Sequence, residues 1–300
     1  MKKVGIIGLG TITKNYLSGL RESKVLSLVA VCDVLENCVS KEFFRDYPFY
    51  LDYKLMINEQ NLDYIIVSTP PSTHYEICMY ALENNVNVIV EKPATLNIND
   101  YLNLLKFADC KKLVFEVMYH WQNGIEVIKF NELYDPSKLE EITVKVVDPY
   151  SDDGININES KVKLMGTWID SGVNILSMIK MWTAFKKIEL VDLYVCKCQT
   201  TKLPIKIDVK LLIDHLKVNI NIDWTLGQNE KVTSVLYDGR YIEINNSKQT
   251  IFDGKNIIKL DDMDRLQTHY YNYFKNYNEV INKEDSYLIH KVLFEVNNKI

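Results

Sequence analysis

Short apolar runs alternate with amphipathic stretches along the first 120 residues of the chain. Each run is rich in β-prone residues, and most runs are followed within two residues by glycine, proline or a polar residue, as buried parallel strands are. The stretches between the runs carry apolar side chains at helical spacing. The runs are Val4–Ile7, Leu26–Val31, Asp63–Val67, Val86–Val90 and Leu113–Val117. Strands that alternate with helices predict an α/β fold, with a doubly wound parallel sheet, over residues 1–120.

The pattern changes in the second part of the chain. Lys206–Leu212 and Lys217–Trp224 alternate apolar and polar side chains, which predicts strands with one buried face and one wet face. Asp238-Gly239 is a tight-turn signal between two further short strands. Residues 121–300 are therefore predicted to form an α+β domain whose largely antiparallel sheet is open on one face.

Two helices are predicted towards the end of the chain. The first is indicated by an apolar and aromatic stripe at helical spacing, formed by Leu266, Tyr270, Tyr273, Tyr277 and Val280. Such a stripe is typical of core packing, and His269 beside it needs no functional role. The second helix is predicted over Ser286–Val296, where it packs back on the body of the protein.

The composition is that of an ordinary globular protein, with 47% hydrophobic and 25% charged residues. A net charge of −5 provides no basic surface for nucleic acid or an anionic membrane, so neither partner is predicted. No apolar run approaches the ~20 residues of a membrane span, and Met1-Lys2-Lys3 leads directly into a strand rather than a signal peptide. The six cysteines lack metal-site spacing, so no metal is predicted. A cytoplasmic location is expected.

The first strand leads into a glycine motif, Gly8-Leu9-Gly10, followed by Thr11 and Ile12 at the start of a predicted helix. Glycines at this turn let the backbone approach a pyrophosphate, and the helix N-terminus provides N–H donors and a positive dipole end. Asp33 ends the second strand about 20 residues beyond, where a carboxylate accepts hydrogen bonds from the ribose hydroxyls. This context predicts dinucleotide binding.

Asp33 also indicates which dinucleotide binds. Its carboxylate would repel a 2′-phosphate, and residues 34–40 contain no basic side chain that could bind one. NAD is therefore favoured. Lys41 is the nearest cation, and it keeps NADP possible.

The next two strand ends carry further candidate residues. After Val67 the chain continues through Thr69, Pro70 and Pro71 into a helix that Ser72 or Thr73 is predicted to cap, with Glu76 closing a capping box. His74 falls in the first turn of that helix and is expected to face the ligand crevice.

The stretch Asn85–Pro93 ends in Glu91-Lys92-Pro93, which places Lys92 at the carboxyl end of a buried strand. In open α/β sheets ligands bind outside these ends. Lys92 is therefore a candidate for chemistry, and a solvated Glu-Lys pair that merely closes a strand is the alternative.

The second half of the chain contributes another pair of polar residues. A helix predicted from Gly166 to Trp182 places Asp170 and Asn174 four residues apart on one face of an otherwise apolar element. The preceding segment, Asp148–Leu164, is polar and rich in asparagine, and it is predicted to be a loop over the crevice. His120 stands at the exit from the first predicted domain.

Together these motifs resemble the Gfo/Idh/MocA family of sugar and cyclitol oxidoreductases. The resemblance rests on the glycine motif, the segment from Thr69 to His74, Glu91-Lys92-Pro93, and Asp170-x-Gly172-x-Asn174. Many members carry histidine where this chain has Asn174. The segment Asp170–Ser177 is instead similar to the aldose 1-dehydrogenases that act on arabinose or galactose, and Tyr119-His120 resembles their Trp-His pair.

The predicted site residues follow from these motifs and this resemblance. Lys92, Asp170 and Asn174 are the predicted catalytic residues, and His120 with Asn174 is expected to bind the sugar. The predicted cofactor-binding residues are Gly8, Gly10, Thr11, Ile12, Asp33, Thr69, Pro71, His74, Glu91 and Lys92. Lys92 and Asp170 offer a cation and a carboxylate for proton transfer, and which of them takes the proton is left open.

The expected activity is NAD-dependent oxidation of an aldose at its anomeric carbon. One alternative is a reductase that works in the opposite direction on a keto-sugar or a sugar nucleotide. Another is a catalytically silent NAD-binding sugar sensor, against which the presence of both Lys92 and Asp170 argues. The resemblance also implies a homodimer or homotetramer formed through the open face of the second sheet.

Overall fold

The computed structural model describes residues 1–279 and 282–300. Within them, the strands are β1 (Lys2–Ile7), β2 (Leu26–Cys32), β3 (Phe49–Tyr50), β4 (Tyr64–Val67), β5 (Asn87–Glu91), β6 (Phe115–Met118), β7 (Leu139–Val147), β8 (Ile188–Lys197), β9 (Pro204–Ile213), β10 (Leu216–Asp223), β11 (Glu230–Tyr237), β12 (Arg240–Asn245), β13 (Thr250–Phe252) and β14 (Ile257–Lys259). The α-helices are α1 (Tyr16–Glu22), α2 (Tyr53–Gln60), α3 (Pro71–Glu83), α4 (Ile98–Lys111), α5 (Ile125–Leu133), α6 (Val173–Lys180), α7 (Arg265–Lys275) and α8 (Lys283–Asn297).

The chain forms two compact units. The first comprises Met1–His120 and Leu266–Tyr287, and the second comprises Trp121–Arg265 and Leu288–Ile300. The sequence placed all of 121–300 in a second domain, whereas the segment Leu266–Tyr287 packs with the first unit because Tyr270 and Phe274 belong to its hydrophobic core.

The first unit is built on a parallel sheet with the strand order β3-β2-β1-β4-β5-β6. The apolar residues of its central strands are almost completely buried, as continuous β-prone runs predict. The strand order reverses between β1 and β4, which places a ligand crevice outside the carboxyl ends of these strands. The predicted doubly wound sheet is confirmed, and β3 is a short edge strand that the apolar pattern did not reveal.

Helix α7 supplies the aromatic part of the first unit's core. The ring of Tyr16 lies 4.8 Å from that of Tyr270 and 5.1 Å from that of Phe274, measured between centroids. The predicted aromatic stripe is buried, but the helix ends at Lys275, so Tyr277 follows it rather than belonging to it. Val280 lies outside the described residues.

The second unit is built on a sheet with the order β14-β13-β12-β11-β7-β10-β9-β8. Its neighbouring strands run antiparallel except for β7 and β10, which are parallel. Val218, Ile220 and Ile222 are fully buried while Lys217 is exposed, so the predicted alternation along β10 is confirmed. Helix α6 packs against the buried face, where Met178 contacts Thr233 of β11.

In the part of the chain that the structure describes, no helix is long and apolar enough to cross a membrane.

Candidate functional site

The turn after β1 has the geometry that a pyrophosphate requires. Gly8 has φ +94°, and a Cβ there would lie 2.7 Å from the backbone of Ser68, so only glycine fits without strain. A Cβ on Gly10 would meet no protein atom within 4 Å. Packing within the protein therefore does not require glycine at position 10, whereas close approach of a bound pyrophosphate would.

The third position of the motif holds Thr13 instead of glycine or alanine. Its Oγ1 donates a 2.7 Å hydrogen bond to the Gly10 carbonyl, and the Ser40 hydroxyl donates a 2.6 Å bond to the same oxygen. Thr11 is exposed and Ile12 partly buried in this turn. A 3₁₀ turn follows at Thr13–Asn15 before α1 begins, so the α-helix starts later than the sequence predicted.

Asp33 follows β2 and is held by two backbone groups. Its Oδ2 accepts a 2.7 Å hydrogen bond from the Leu9 N–H, and its Oδ1 accepts a 2.9 Å bond from the Leu35 N–H. Each oxygen retains a second lone pair that could accept from a ribose hydroxyl. Lys41 lies with its ammonium 4.3 Å above the ring of Phe49. The residues around the glycine turn thus fit a nicotinamide dinucleotide.

The start of α3 differs from the predicted cap. Pro70 occupies the cap position and Pro71 the first helical position, where its missing N–H costs nothing. Thr73 Oγ1 lies 2.8 Å from the Pro70 carbonyl oxygen and 2.7 Å from Thr69 Oγ1, and Glu76 accepts a hydrogen bond from Tyr53. The predicted capping box on Thr73 was therefore wrong.

His74 is fully buried and lies between two strand ends. Its Nδ1 lies 2.9 Å from the carbonyl oxygen of Pro93, and its Nε2 lies 2.8 Å from that of Thr69. Burial lowers the pKa of His74, although the two carbonyl contacts oppose this effect. The buried ring thus lies between the loops after β4 and β5, and in its neutral form its single N–H donates to one of the two carbonyl oxygens.

Glu91 and Lys92 close β5. The Oε1 atom of Glu91 accepts hydrogen bonds from the hydroxyls of Tyr16 and Tyr270, both 2.7 Å long. Its Oε2 accepts a 3.2 Å bond from the Lys92 N–H. Burial raises the pKa of Glu91, while the two tyrosine hydroxyls and the charge of Lys92 oppose the rise. The buried carboxylate thus anchors the strand end on which the partly buried Lys92 stands.

His120, which is expected to bind the sugar, is buried beside helix α7. It is 3% exposed, and its Nδ1 lies 3.1 Å from Nδ1 of His269. Its ring also stacks on Tyr270, with centroids 5.1 Å apart and planes 22° apart. The structure therefore joins His120 to α7, and the expectation that His269 has only a packing role misses this hydrogen bond.

Asp170 and Asn174 lie at the start of the helix that covers the second sheet. Residues Trp168–Gly172 form a π-helical turn that continues into α6, and such turns are frequent at functional sites. Asp170 is partly exposed, whereas Asn174 is 6% exposed. The Asn174 Nδ2 donates a 3.4 Å hydrogen bond to the Asp170 carbonyl, and its Oδ1 is buried with no partner among the described residues. That amide oxygen can accept from a substrate hydroxyl.

Further charged residues of the second unit lie around Asp170. Lys231 Nζ forms a 2.6 Å ion pair with Asp148 Oδ1. Burial is the largest effect on Lys231 and lowers its pKa; Arg265 acts in the same direction, and Asp148 and Asp170 in the opposite one. Tyr150 also lies near this cluster. Burial raises its pKa most, and the negative charges of Asp148 and Asp170 raise it further. The sequence did not single out Lys231, Asp148 or Arg265.

Comparisons with known proteins agree with the first unit's geometry. Residues 2–119 match the family model described as "Oxidoreductase family, NAD-binding Rossmann fold" (GFO_IDH_MocA). The inositol 2-dehydrogenase/D-chiro-inositol 3-dehydrogenase of Lactiplantibacillus plantarum is 28% identical over 107 residues, 34% of this chain and 31% of that protein. The scyllo-inositol 2-dehydrogenase (NADP(+)) IolW of Bacillus subtilis is 28% identical over 145 residues, 47% of this chain and 39% of that protein.

A solved structure covers the whole fold. The dehydrogenase MviM from Clostridium difficile aligns with a TM-score of 0.81 over 100% of this chain and 99% of that chain, at 20% sequence identity. This likeness confirms the predicted fold class, a parallel sheet followed by a mostly antiparallel one. The matches to curated relatives span only about a third of those proteins, and those relatives are named mainly as inositol dehydrogenases, not arabinose or galactose dehydrogenases.

Proposed function

We propose that the chain is an NAD-dependent dehydrogenase of the Gfo/Idh/MocA family that oxidises a CH–OH group on the ring of a sugar or cyclitol. The observation that carries this proposal is the set of residues at the carboxyl ends of the first sheet. Gly8 and Gly10 provide the turn that a pyrophosphate needs, and Asp33 presents an oriented carboxylate. The match of residues 2–119 and the named inositol dehydrogenases support the reaction class.

The reaction removes a hydride from carbon and a proton from the hydroxyl, which leaves a carbonyl product. Bound NAD would supply the hydride acceptor, since the nicotinamide carries that chemistry. Lys92 and Asp170 are the residues that we propose to handle the proton. Glu91 anchors the strand end that carries Lys92, and the π-helical turn positions Asp170.

Asn174 is proposed to bind a substrate hydroxyl. Its buried Oδ1 has no partner among the described residues, and a buried polar atom in that state is costly unless a ligand completes it. An amide does not titrate, so it can hold a hydroxyl without competing for the proton. His120 is a weaker candidate for sugar binding than the resemblance implied, because its Nδ1 already faces His269.

Two kinds of carbon are candidates for the oxidised position. The segment from Asp170 to Asn174 resembles aldose 1-dehydrogenases and supports the anomeric carbon of an aldose. The names of the curated relatives favour the secondary alcohol of an inositol instead. NAD is proposed over NADP because Asp33 would repel a 2′-phosphate.

A substrate scan with cofactor absorbance tests the proposal. The purified protein is mixed with NAD and, in turn, with inositol isomers, arabinose, galactose and other aldoses, and NADH formation is followed. An aldonolactone, or the aldonic acid formed when it hydrolyses, identifies the anomeric carbon, and a keto-inositol identifies a ring secondary alcohol. NADH oxidation by a keto-sugar or sugar nucleotide, with no turnover of any alcohol, would favour the reductase. Tight NAD binding with no turnover in either direction would favour the sensor.

A further inference from the structure

Lys231 is an unusual residue for its position in the second sheet. It pairs with Val146 of β7 and shares the inward face of β11 with Thr233 and Val235. A lysine at an inward strand position must lose most of its hydration, and Lys231 is only 5% exposed. Its ammonium is therefore held inside the face that α6 covers.

The ion pair with Asp148 does not by itself explain a lysine at this position. Both side chains are 7% exposed, so each charge is largely desolvated. Replacing such a buried pair by apolar residues of similar volume is often neutral or even stabilising, so a buried ion pair is weak evidence for a structural role.

The hydrogen bonds of Lys231 and Asp148 to the described residues do not use all the donors and acceptors of the pair. Lys231 Nζ donates to Asp148 Oδ1 at 2.6 Å and to Asn229 Oδ1 at 2.6 Å, which uses two of its three N–H groups. The other carboxylate oxygen of Asp148, Oδ2, makes no hydrogen bond to the described residues. One donor and one acceptor therefore remain side by side.

The position of the pair along the sheet points to the substrate. Thr233 of β11 contacts Met178 of α6, so these two residues lie at the same level of the interface between the sheet and the helix. Lys231 lies two residues before Thr233 on β11, about 6.8 Å from it along the strand. Asn174 lies one helical turn before Met178 on α6, about 6 Å from it along the helix axis. Asp170 lies a further turn in the same direction, and its charge acts on Lys231. The pair thus lies on the same side of the Thr233–Met178 contact as Asp170, which is proposed to act on the substrate.

We propose that Lys231 and Asp148 form a diol subsite, which binds two neighbouring hydroxyls of the ring substrate. Lys231 donates its remaining N–H to one hydroxyl, and Asp148 Oδ2 accepts from the next. Two hydroxyls on adjacent ring carbons match a donor and an acceptor that lie side by side, because each hydroxyl can serve in either role. This inference rests on the proposed function, and it makes the pair a determinant of which ring hydroxyls are recognised.

Deoxy analogues of the best substrate test the proposal on the unmodified protein. Each analogue lacks one hydroxyl, and kcat/KM is measured for every one. A site built to bind a hydroxyl rejects the analogue without it, so two adjacent positions, distinct from the oxidised carbon, should each lose about 10²-fold or more. The proposal is overturned if no two adjacent positions outside the oxidised carbon show such a loss.

Variants then assign the two positions to the pair. In Lys231→Met, kcat/KM for the analogue that lacks the lysine-bound hydroxyl should equal kcat/KM for the parent substrate. The losses of kcat/KM for the other analogues should remain. Asp148→Asn should relax the adjacent position in the same manner. Lys145→Met is the matched control, because Lys145 lies on the opposite face of β7 in an exposed 2.9 Å ion pair with Glu230; it should leave the whole profile unchanged.

The outcomes separate this inference from the proposed function. If no sugar or cyclitol supports NAD reduction, the proposed function fails and the subsite fails with it. If a substrate is found and folded Lys231→Met keeps the unmodified deoxy profile, the subsite alone is refuted. Should Lys231→Met not fold, the double variant Lys231→Met with Asp148→Leu replaces both members of the ion pair by apolar residues, and an unchanged profile in that folded variant would equally refute the subsite.

Discussion

Replacing Glu116 by glutamine should stabilise the first unit, and the gain should be larger in mildly alkaline than in mildly acidic solution. Glu116 lies on β6, and its Oε1 accepts a 2.6 Å hydrogen bond from the Tyr273 hydroxyl of α7. Burial raises the pKa of Glu116 from its ordinary value of 4.5 to about 7, although the bond from Tyr273 opposes the rise. The folded protein therefore keeps this carboxyl protonated where the unfolded chain ionises it.

The direction and size of the effect follow from the bound protons. Between about pH 4.5 and about pH 7 the folded state holds one more proton at Glu116, so stability falls as the pH rises through this range. The stabilising effect of the neutral carboxyl is complete below the lower value and lost above the upper one. At ~1.36 kcal/mol per pKa unit, the full loss is about 3 kcal/mol. Glutamine cannot ionise, and its carbonyl can still accept from Tyr273.

Urea unfolding of the two proteins near pH 5 and near pH 8 measures this effect. The free energy of unfolding of Glu116→Gln relative to the unmodified protein should rise by about 2 to 3 kcal/mol between these conditions. Glu76→Gln is the matched control, because Glu76 also accepts from a tyrosine, Tyr53 at 3.1 Å, but is exposed. If the free energies of unfolding of Glu116→Gln and the unmodified protein differ by the same amount at both pH values, the reasoning is refuted.

Three further predictions concern function and assembly. NAD should bind more tightly than NADP, and Asp33→Ala should narrow the gap by removing the repulsion of the 2′-phosphate; calorimetric titration of both nucleotides checks this, and tighter NADP binding to the unmodified protein would contradict it. Lys92→Ala and Asp170→Asn should each reduce turnover about 10²- to 10⁴-fold without loss of NAD affinity, and the double variant should lose far less than the product of the two; full activity of folded Lys92→Ala would remove Lys92 from the chemistry. A homodimer or homotetramer is expected through the open face of the second sheet, and light scattering that shows a monomer at micromolar concentration would count against it.

The elements were predictable because local periodicity determines them. The apolar runs identified every strand of the first sheet except the short edge strand β3, and the alternation along β10 identified its buried face. Gly8 and Asp33 were recognisable because a strand, a turn and a helix follow one another over a short stretch of chain. The start of α3 was less predictable, since Pro70 takes the cap position and Pro71 the first helical position, which leaves Ser72 and Thr73 inside the helix.

Contacts between distant segments were not predictable from those patterns. In β11, Val232 and Leu236 face outward while Lys231 and Val235 face inward, and the apolar residues alone fit either register. The buried position of Lys231 therefore becomes apparent only from its pairing with β7. His120 is a comparable case, because nothing local to it indicates that its partner is His269, which lies on α7.

The membership of α7 in the first unit affects how this protein is made on the ribosome. Tyr16 and Glu91 emerge long before Tyr270, whose hydroxyl completes the bonds to the Glu91 carboxylate. At a synthesis rate of about 5–20 residues per second, the interval between residues 120 and 270 is roughly 8 to 30 s. During that time the apolar surface around Tyr16 and Leu20 lacks its covering helix, which exposes it to chaperones. A fragment that stops at residue 120 would keep this surface exposed permanently and should aggregate rather than bind NAD as an isolated domain.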